Sequence, residues 1–179
     1  MQGILAGFLT LIQYTYAQEY TPERVRPKHC ACCGRLNPWY HAIYERKPDR
    51  ENSPNKSMNP IIIQRYYCPG CKKTFSVLPE CIPPRRWYPW EVQQSIFLLF
   101  LLGHSAYEIA KESKPSYSTI TRWFHRFKEQ FRLHRDTLCG LFGELTRTSC
   151  LASFWTSCFE LITLGSAMRL CHVSGVAIP

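Results

Sequence analysis

The sequence predicts an α+β protein in which a small metal-bound β region precedes a helical region, and three observations predict this order. Two Cys-x-x-Cys pairs, Cys30/Cys33 and Cys68/Cys71, lie among short runs of aromatic and β-branched residues in the first half of the chain. Apolar residues at helical spacing fill residues 89–131. Between these regions, Pro83-Pro84-Arg85-Arg86 forms a stiff basic connector that marks a domain boundary.

The two cysteine pairs predict a structural zinc site. Each pair puts two sulfur atoms on a tight turn, and the 34 residues between the pairs are enough to bring both turns to one tetrahedral ion. The expected Zn²⁺ ligands are Cys30, Cys33, Cys68 and Cys71. Four spare candidates rank below these because they lack the paired spacing: His29, Cys32, His41 and Cys81. Of the four, Cys32 could take a ligand position in the first pair.

A disulfide framework is the alternative, and it needs an oxidising compartment. Residues 3–12 are apolar enough for an export signal, but no Lys or Arg precedes them and residues 14–17 make a poor cleavage site. At about 10 residues this segment is also too short to span a bilayer, which takes roughly 20. We therefore expect a cytoplasmic protein without a membrane partner, in which residues 1–27 form an apolar packing and linker segment.

Composition predicts each strand of the first region. Residues 39–44 are aromatic and branched, residues 61–67 lead into the second cysteine pair, and residues 72–78 return from it as a hairpin. Residues 47–60 are rich in Pro, Asn, Ser and charge and predict a solvated loop. Two hairpin tips that clamp one ion form a zinc ribbon, which we assign to residues 28–82.

Three helices are predicted within residues 87–132. Pro89 opens the first, and Gly103 stands where a helix commonly ends. Ser105 and Glu108 have capping-box spacing, so a second helix starts at once, and residues 113–116 end it. A third helix over residues 117–131 carries four apolar residues that share one buried stripe: Ile120, Trp123, Phe124 and Phe127.

The third helix also has a polar outer face. Five side chains lie away from the apolar stripe: Ser118, Thr119, Arg122, His125 and Arg126. Such side chains reach phosphates and base edges, and a short capped helix followed by a longer one describes a helix-turn-helix, whose second helix lies in the major groove. A plain three-helix bundle with a solvated polar face is the alternative. Beside a basic zinc ribbon, the pattern favours binding of double-stranded DNA.

The charge distribution favours the same partner. The chain has 22 Lys+Arg against 13 Asp+Glu, a net charge of +9. The excess is concentrated in residues 20–90, with 13 basic and 5 acidic side chains, and this region attracts a polyanion. The expected phosphate contacts are Lys72, Lys73, Arg85 and Arg86. A basic surface that only faces solvent is the alternative.

In combination, these features resemble the DNA-binding region of insertion-sequence transposases and their short accessory proteins. The resemblance covers about residues 28–132 and rests on YCPGCKKTFS at 67–76, LGHSAYEIA at 102–110 and STITRW at 118–123. In that family a zinc ribbon and a homeodomain-like helix-turn-helix recognise the terminal inverted repeats of the element. The resemblance implies that the four cysteines bind zinc, that Phe75 lies in the ribbon core and that the third helix reads the element ends.

The remaining sequence departs from a catalytic transposase, which needs carboxylates that hold two magnesium ions. Asp49 and Asp136 are the only aspartates in the chain. We therefore expect no enzyme activity, either in an accessory protein or in a truncated transposase, with a separate catalytic subunit and a second copy of the chain as candidate partners. Residues 133–179 form an apolar, Cys-rich tail, expected to be helical with buried thiols, or else a degenerate remnant.

Two other functions use the same parts. A host transcriptional regulator would contain the same ribbon and helix-turn-helix, and the position of its gene beside an operon would distinguish it from a protein encoded between inverted repeats. A zinc ribbon that binds another protein would have no role with nucleic acid. Charge reversal at Arg122 and Arg126 would abolish DNA binding by a mobile-element protein or a host regulator, and would leave a protein-binding ribbon unaffected.

Overall fold

The computed structural model describes residues 2–5, 7–47, 60–83 and 88–176. It divides the chain into two compact units, Met1–Pro89 and Trp90–Pro179. The first unit combines a sheet with two short helices and the second is helical, so the chain is an α+β protein. Two sequence features lie outside the described residues: most of the loop predicted at 47–60, and Arg85 and Arg86 of the basic connector.

A sheet organises the first unit. Its strands among the described residues are β1 (Gln2–Leu5), β2 (Trp39–Arg46), β3 (Ile61–Cys68) and β4 (Lys73–Pro79), in the order β1-β4-β3-β2. The pairs β2/β3 and β3/β4 are antiparallel, whereas β1 pairs with β4 in parallel. Because side chains alternate along a strand, Ile61 and Ile63 are buried on one face of β3 and Tyr66 and Cys68 on the other.

Two helices complete the core of the first unit. Helix α1 (Leu11–Tyr20) begins at a capping box, in which the Thr10 hydroxyl accepts the N–H of Gln13 at 3.2 Å and the Gln13 side chain accepts the N–H of Thr10 at 3.2 Å. Helix α2 (Pro22–Val25) follows directly. Both helices share a hydrophobic cluster with the sheet: Phe8, Tyr14, Ala17, Val25, Ile61, Ile63, Leu78 and Ile82. Residues 8–25 therefore form part of the sheet unit.

Helices make up the second unit. They are α3 (Trp90–Leu101), α4 (Ala106–Glu112), α5 (Tyr117–Leu141), a 3₁₀ helix (Gly143–Arg147), α6 (Leu151–Leu161) and α7 (Leu164–Val173). Ser105 and Glu108 form the predicted capping box of α4, and the hydroxyl of Ser116 caps α5. In the part of the chain that the structure describes, no helix has both the length and the apolar character needed to cross a membrane.

An aromatic cluster forms the centre of the second unit. Phe97 of α3 stacks on Phe127 of α5 with ring centroids 4.1 Å apart. The ring of Trp155, on α6, meets both rings edge-on at 5.7 Å and is fully buried. Helix α7 joins the same cluster through Leu164, Ala167, Met168 and Cys171. Much of the Cys-rich segment after residue 133 therefore belongs to the core of this unit.

Helix α5 continues to Leu141, beyond the predicted end at residue 131. The predicted stripe is present, with Ile120, Trp123 and Phe127 buried and Phe124 partly buried. His134 and Leu138 extend this buried face by two further turns. The helix continues because these residues face the core made by α6 and α7, which local sequence does not indicate.

The cysteines of the second unit differ in burial. Cys158 and Cys171 are buried, and burial raises the pKa of both thiols. Cys139 is half-buried. The expectation of a buried thiol is wrong for Cys150, which is exposed because it occupies the N-cap position of α6, where its sulfur accepts the N–H of Ser153 at 3.4 Å.

Candidate metal centre

Four cysteine side chains converge in the first unit. Cys30 and Cys33 lie on the turn before β2, whereas Cys68 is the last residue of β3 and Cys71 lies on the turn between β3 and β4. Their four sulfur atoms all lie within 4.8 Å of one another. Each cysteine of the first pair lies close to one cysteine of the second pair: Cys30 Sγ is 3.8 Å from Cys71 Sγ, and Cys33 Sγ is 3.6 Å from Cys68 Sγ. This cluster can hold a metal ion.

The sulfur separations fit a single tetrahedral ion. A metal–sulfur bond of about 2.3 Å in tetrahedral geometry separates neighbouring sulfurs by about 3.8 Å. The observed 3.6 Å and 3.8 Å agree with that spacing. A disulfide would instead need about 2.05 Å. The cysteines are therefore arranged as ligands around a common point and not as covalent pairs.

Backbone hydrogen bonds shape the first turn. The N–H of Gly34 donates to the carbonyl of Cys30 at 3.0 Å, and the N–H of Cys30 donates to the carbonyl of Arg35 at 2.8 Å. The N–H of Cys32 points at the sulfur of Cys30 at 3.3 Å. Gly34 has φ 72°, a left-handed conformation that glycine adopts without a steric penalty. The turn thus positions both of its sulfurs and directs an N–H group at one of them.

The second turn favours ionisation of one thiol. The N–H of Cys71, and secondarily other donors that include the N–H of Gly70, lower the pKa of Cys68 to about 6. Burial, followed by the neighbouring thiols, raises the pKa of Cys71. A thiolate at Cys68 therefore makes further ionisation nearby unfavourable unless a cation joins the cluster. A metal ion supplies that charge, and its binding releases the remaining protons.

Apolar residues surround the sulfurs on the sheet side. Cys30 and Cys68 are buried, Cys71 is half-buried and Cys33 is exposed. Phe75 is 2% exposed and packs beside Tyr66 with ring centroids 6.0 Å apart. These residues form a small cluster with the buried cysteines and Val77. With so small an apolar core at this end of the sheet, a bound ion would contribute much of the local stability.

Among the described residues, none of the spare ligand candidates belongs to the cysteine cluster. His29 lies in the isolated bridge to Leu36, and His41 lies on β2. Cys32 contributes its backbone N–H, and Cys81 packs with the cluster around α1. The paired spacing therefore singled out the four cysteines that converge.

Two of the four basic residues predicted to contact phosphates lie within the described residues. Lys72 and Lys73 are exposed at the turn that carries Cys71. Arg85 and Arg86 lie outside the described residues. Lys72 has φ 54°, which is uncommon for a residue with a side chain.

The predicted DNA-contacting residues of α5 lie in the second unit. Ser118, Arg122, His125 and Arg126 are exposed, and Thr119 is half-buried. The hydroxyls of Ser118 and Thr119 lie 3.2 Å and 3.0 Å from the hydroxyl of Ser116. Nδ1 of His125 lies 3.2 Å from a carboxylate oxygen of Glu129. Within the described residues, Arg122 and Arg126 form no hydrogen bond or ion pair. Ser116 was missed as the cap, although its position before the periodic segment indicates one.

A family model described as a domain of unknown function, DUF6431, matches residues 30–123, more than half of the 179-residue chain. The chain belongs to the DUF6431 family. The DUF6431 region begins at the first cysteine of the cluster and ends within α5 at Trp123, so that it contains all four cysteines and Arg122. No curated protein and no solved structure matches the chain.

Proposed function

We propose that this DUF6431 protein is a zinc-dependent DNA-binding protein of a mobile element, which recognises the ends of the element and is itself non-catalytic. In this proposal the first unit acts as a zinc ribbon and helices α3–α5 act as a homeodomain-like helix-turn-helix. The protein works in the cytoplasm on double-stranded DNA, with a separate catalytic transposase subunit or a second copy of the chain as its partner.

The donor set supports zinc as the metal. Four thiolates at tetrahedral spacing are typical of structural zinc sites, whereas magnesium and calcium prefer oxygen ligands. All four ligand positions are supplied by the protein, so the ion would have a structural role with no position left for a substrate. Zinc would hold the turn before β2 against the turn between β3 and β4, and thereby keep the exposed Lys72 and Lys73 in place.

The observation that carries the DNA-binding proposal is the exposed face of α5. Ile120, Trp123 and Phe127 bury one side of this helix and restrict its rotation. Arg122 and Arg126 lie one turn apart on the opposite, exposed side and have no partner among the described residues. Guanidinium groups held in this way are suited to guanine edges and phosphates. The capped helix α4 precedes α5 by a short turn, as in a helix-turn-helix.

The experiment is a titration of the zinc-loaded full chain with duplex DNA from the ends of its own genomic locus and with a scrambled duplex, at several salt concentrations. We expect the end duplex to bind at least about 1000-fold more tightly than scrambled DNA, with an affinity that falls steeply as salt increases. Equal, weak binding to both duplexes would reject recognition of the ends.

A matched pair of variants tests whether α5 makes the contacts. The double variant Arg122→Ala/Arg126→Ala should lose most of the preference for the end duplex, because each bidentate base contact contributes about 1–3 kcal/mol of discrimination. Arg147→Ala removes an exposed arginine from the 3₁₀ helix of the same unit and serves as the control. If the double variant and the control bind alike, α5 is not the reading helix.

A further inference from the structure

The sheet of the first unit carries exposed aromatic rings close to the cysteine cluster. Trp39 of β2 pairs in register with Tyr67 of β3, so both side chains lie on one face, and their ring centroids are 6.2 Å apart. The imidazole of His41 lies 6.5 Å from the Tyr67 ring. We call Trp39, His41 and Tyr67 the aromatic platform.

Packing within the described residues does not account for the aromatic platform. Trp39 is 60% exposed, His41 is exposed and Tyr67 is half-buried. On the same face of β3, Ile61 and Ile63 are covered by the hydrophobic cluster of α1, and this cover does not extend to Arg65 and Tyr67. Leaving an indole in water forgoes the free energy that its burial would supply, and clustered exposed rings mark interaction sites.

A β-bulge helps to form the platform. The register between β2 and β3 shifts between Tyr40 and Ala42, and His41 is the residue without a partner in the register. Such a bulge bends the strand and redirects a side chain. Here Ala42 takes the position opposite Arg65, and the unpaired His41 lies with its ring 6.5 Å from that of Tyr67. Among the described strands, β2 lies at the edge of the sheet.

The sequence on both sides of the aromatic platform residues is basic. Residues 26–44 and 61–79 contain no Asp or Glu. The same stretches contain six basic residues, namely Arg26, Lys28, Arg35, Arg65, Lys72 and Lys73. Arg65 is exposed, precedes Tyr67 by two residues on the same face of β3 and has its guanidinium 5.3 Å from the Tyr44 ring centroid. A guanidinium on the same face as exposed rings suits a ligand that combines flat apolar faces with negative charge.

We propose that the aromatic platform binds single-stranded DNA, with unpaired bases stacked on Trp39 and Tyr67 and phosphates beside Arg65. A duplex hides its base faces within the stack, whereas a single strand exposes them to aromatic side chains and places phosphates nearby. This inference rests on the proposed function only in taking DNA as the nucleic acid. It assigns to the first unit a ligand different from that of α5.

The test uses the zinc-loaded full chain and a fluorescently labelled single-stranded oligonucleotide, with binding followed by anisotropy. Trp39→Ala should weaken binding by about 10- to 100-fold, and Trp39→Phe should keep most of the affinity because an aromatic face remains. Ile43→Ala is the matched control, since Ile43 is 56% exposed on the same strand but pairs with Gln64 on the opposite face. Zinc content and circular dichroism establish that each variant is folded.

Separate outcomes distinguish this proposal from that for α5. Loss of single-strand binding in Trp39→Ala, with duplex binding unchanged, supports the platform even if the duplex shows no preference for element ends. Arg122→Ala/Arg126→Ala should retain single-strand binding. The proposal is overturned if Trp39→Ala and Ile43→Ala bind the single strand equally well, or if the wild-type chain does not bind it. If the platform instead binds a protein, the wild-type chain would not bind the single strand.

Discussion

Gly34 and Lys72 occupy equivalent positions in the two cysteine turns, and both have left-handed backbone. Each follows the second cysteine of its pair directly, with φ 72° at Gly34 and φ 54° at Lys72. The two turns therefore have the same left-handed backbone at this position. Only the first turn has glycine there, which adopts this conformation without a steric penalty. A residue with a side chain in this conformation costs about 1–3 kcal/mol.

Substitutions at these two positions should have unequal effects. Gly34→Ala is expected to destabilise the first unit by about 1–2 kcal/mol, because a Cβ is unfavourable in left-handed backbone. No neighbouring atom of the described structure lies within 4 Å of the added methyl, so the cost comes from the backbone alone. The free energy of unfolding of Lys72→Gly should stay within about 1 kcal/mol of the wild-type value. Relief of backbone strain at residue 72 offsets the greater conformational freedom that glycine gives the unfolded chain. Chemical denaturation measures both, and equal losses would contradict the prediction.

Removal of one ligand should release the metal. If the cluster binds zinc as proposed, Cys68→Ser should lose the ion and melt the first unit, because a bound ion would contribute much of the stability at this end of the sheet. The second unit should keep its own transition, because its aromatic core includes no cysteine of the cluster. Elemental analysis and calorimetry measure the two effects.

Cys32→Ser is the control for that experiment. Cys32 lies within the same turn but contributes its backbone N–H and not its sulfur. The Cys32→Ser variant should therefore bind zinc as the wild type does. Zinc retained at one ion per chain by Cys68→Ser, with an unchanged melting curve, would contradict a four-thiolate site.

Two glycines of the second unit should respond in opposite directions to alanine. At Gly165 of α7 an added Cβ would lie 2.9 Å from Cδ1 of the buried Trp90 ring, so Gly165→Ala should cost about 1–3 kcal/mol. At Gly140 of α5 the space is open, and Gly140→Ala should stabilise the helix by about 0.5–1 kcal/mol. Thermal unfolding of both variants measures the difference, and a destabilised Gly140→Ala would show that this end of α5 is not helical in solution.

The capping box of α4 predicts a pH dependence. The N–H and then the hydroxyl of Ser105 donate to the carboxylate of Glu108 and lower its pKa below the ordinary value. A lowered pKa in the folded state stabilises the protein above the unfolded pKa, and that stabilisation is lost as pH falls through the folded value. Glu108→Ala should thus be less stable than the wild type at pH 7, and the difference should shrink below about pH 4. A difference that stays constant with pH would contradict this origin.

The parts of the fold with local sequence signals were predicted, whereas those that depend on distant partners were not. The spacing of the cysteines and the pair Ser105/Glu108 are local, and both the sulfur cluster and the cap are present. The position where α5 ends depends on the burial of Leu138 against later helices. The sequence near residue 131 gives no signal of that contact, so the end of the helix was predicted too early. The aromatic platform depends on strand register and on a bulge at His41, which a single strand does not reveal.

The family match and the folded units have different boundaries. A fragment limited to residues 30–123 would lack β1 and α1, and Ile63 and Leu78 would lose the helix that covers them. It would also end before Phe127, the residue on which Phe97 stacks. Such a fragment should aggregate when expressed alone, although it holds all four cysteines. In this chain the DUF6431 match therefore marks a segment whose buried residues pack against flanking sequence on both sides.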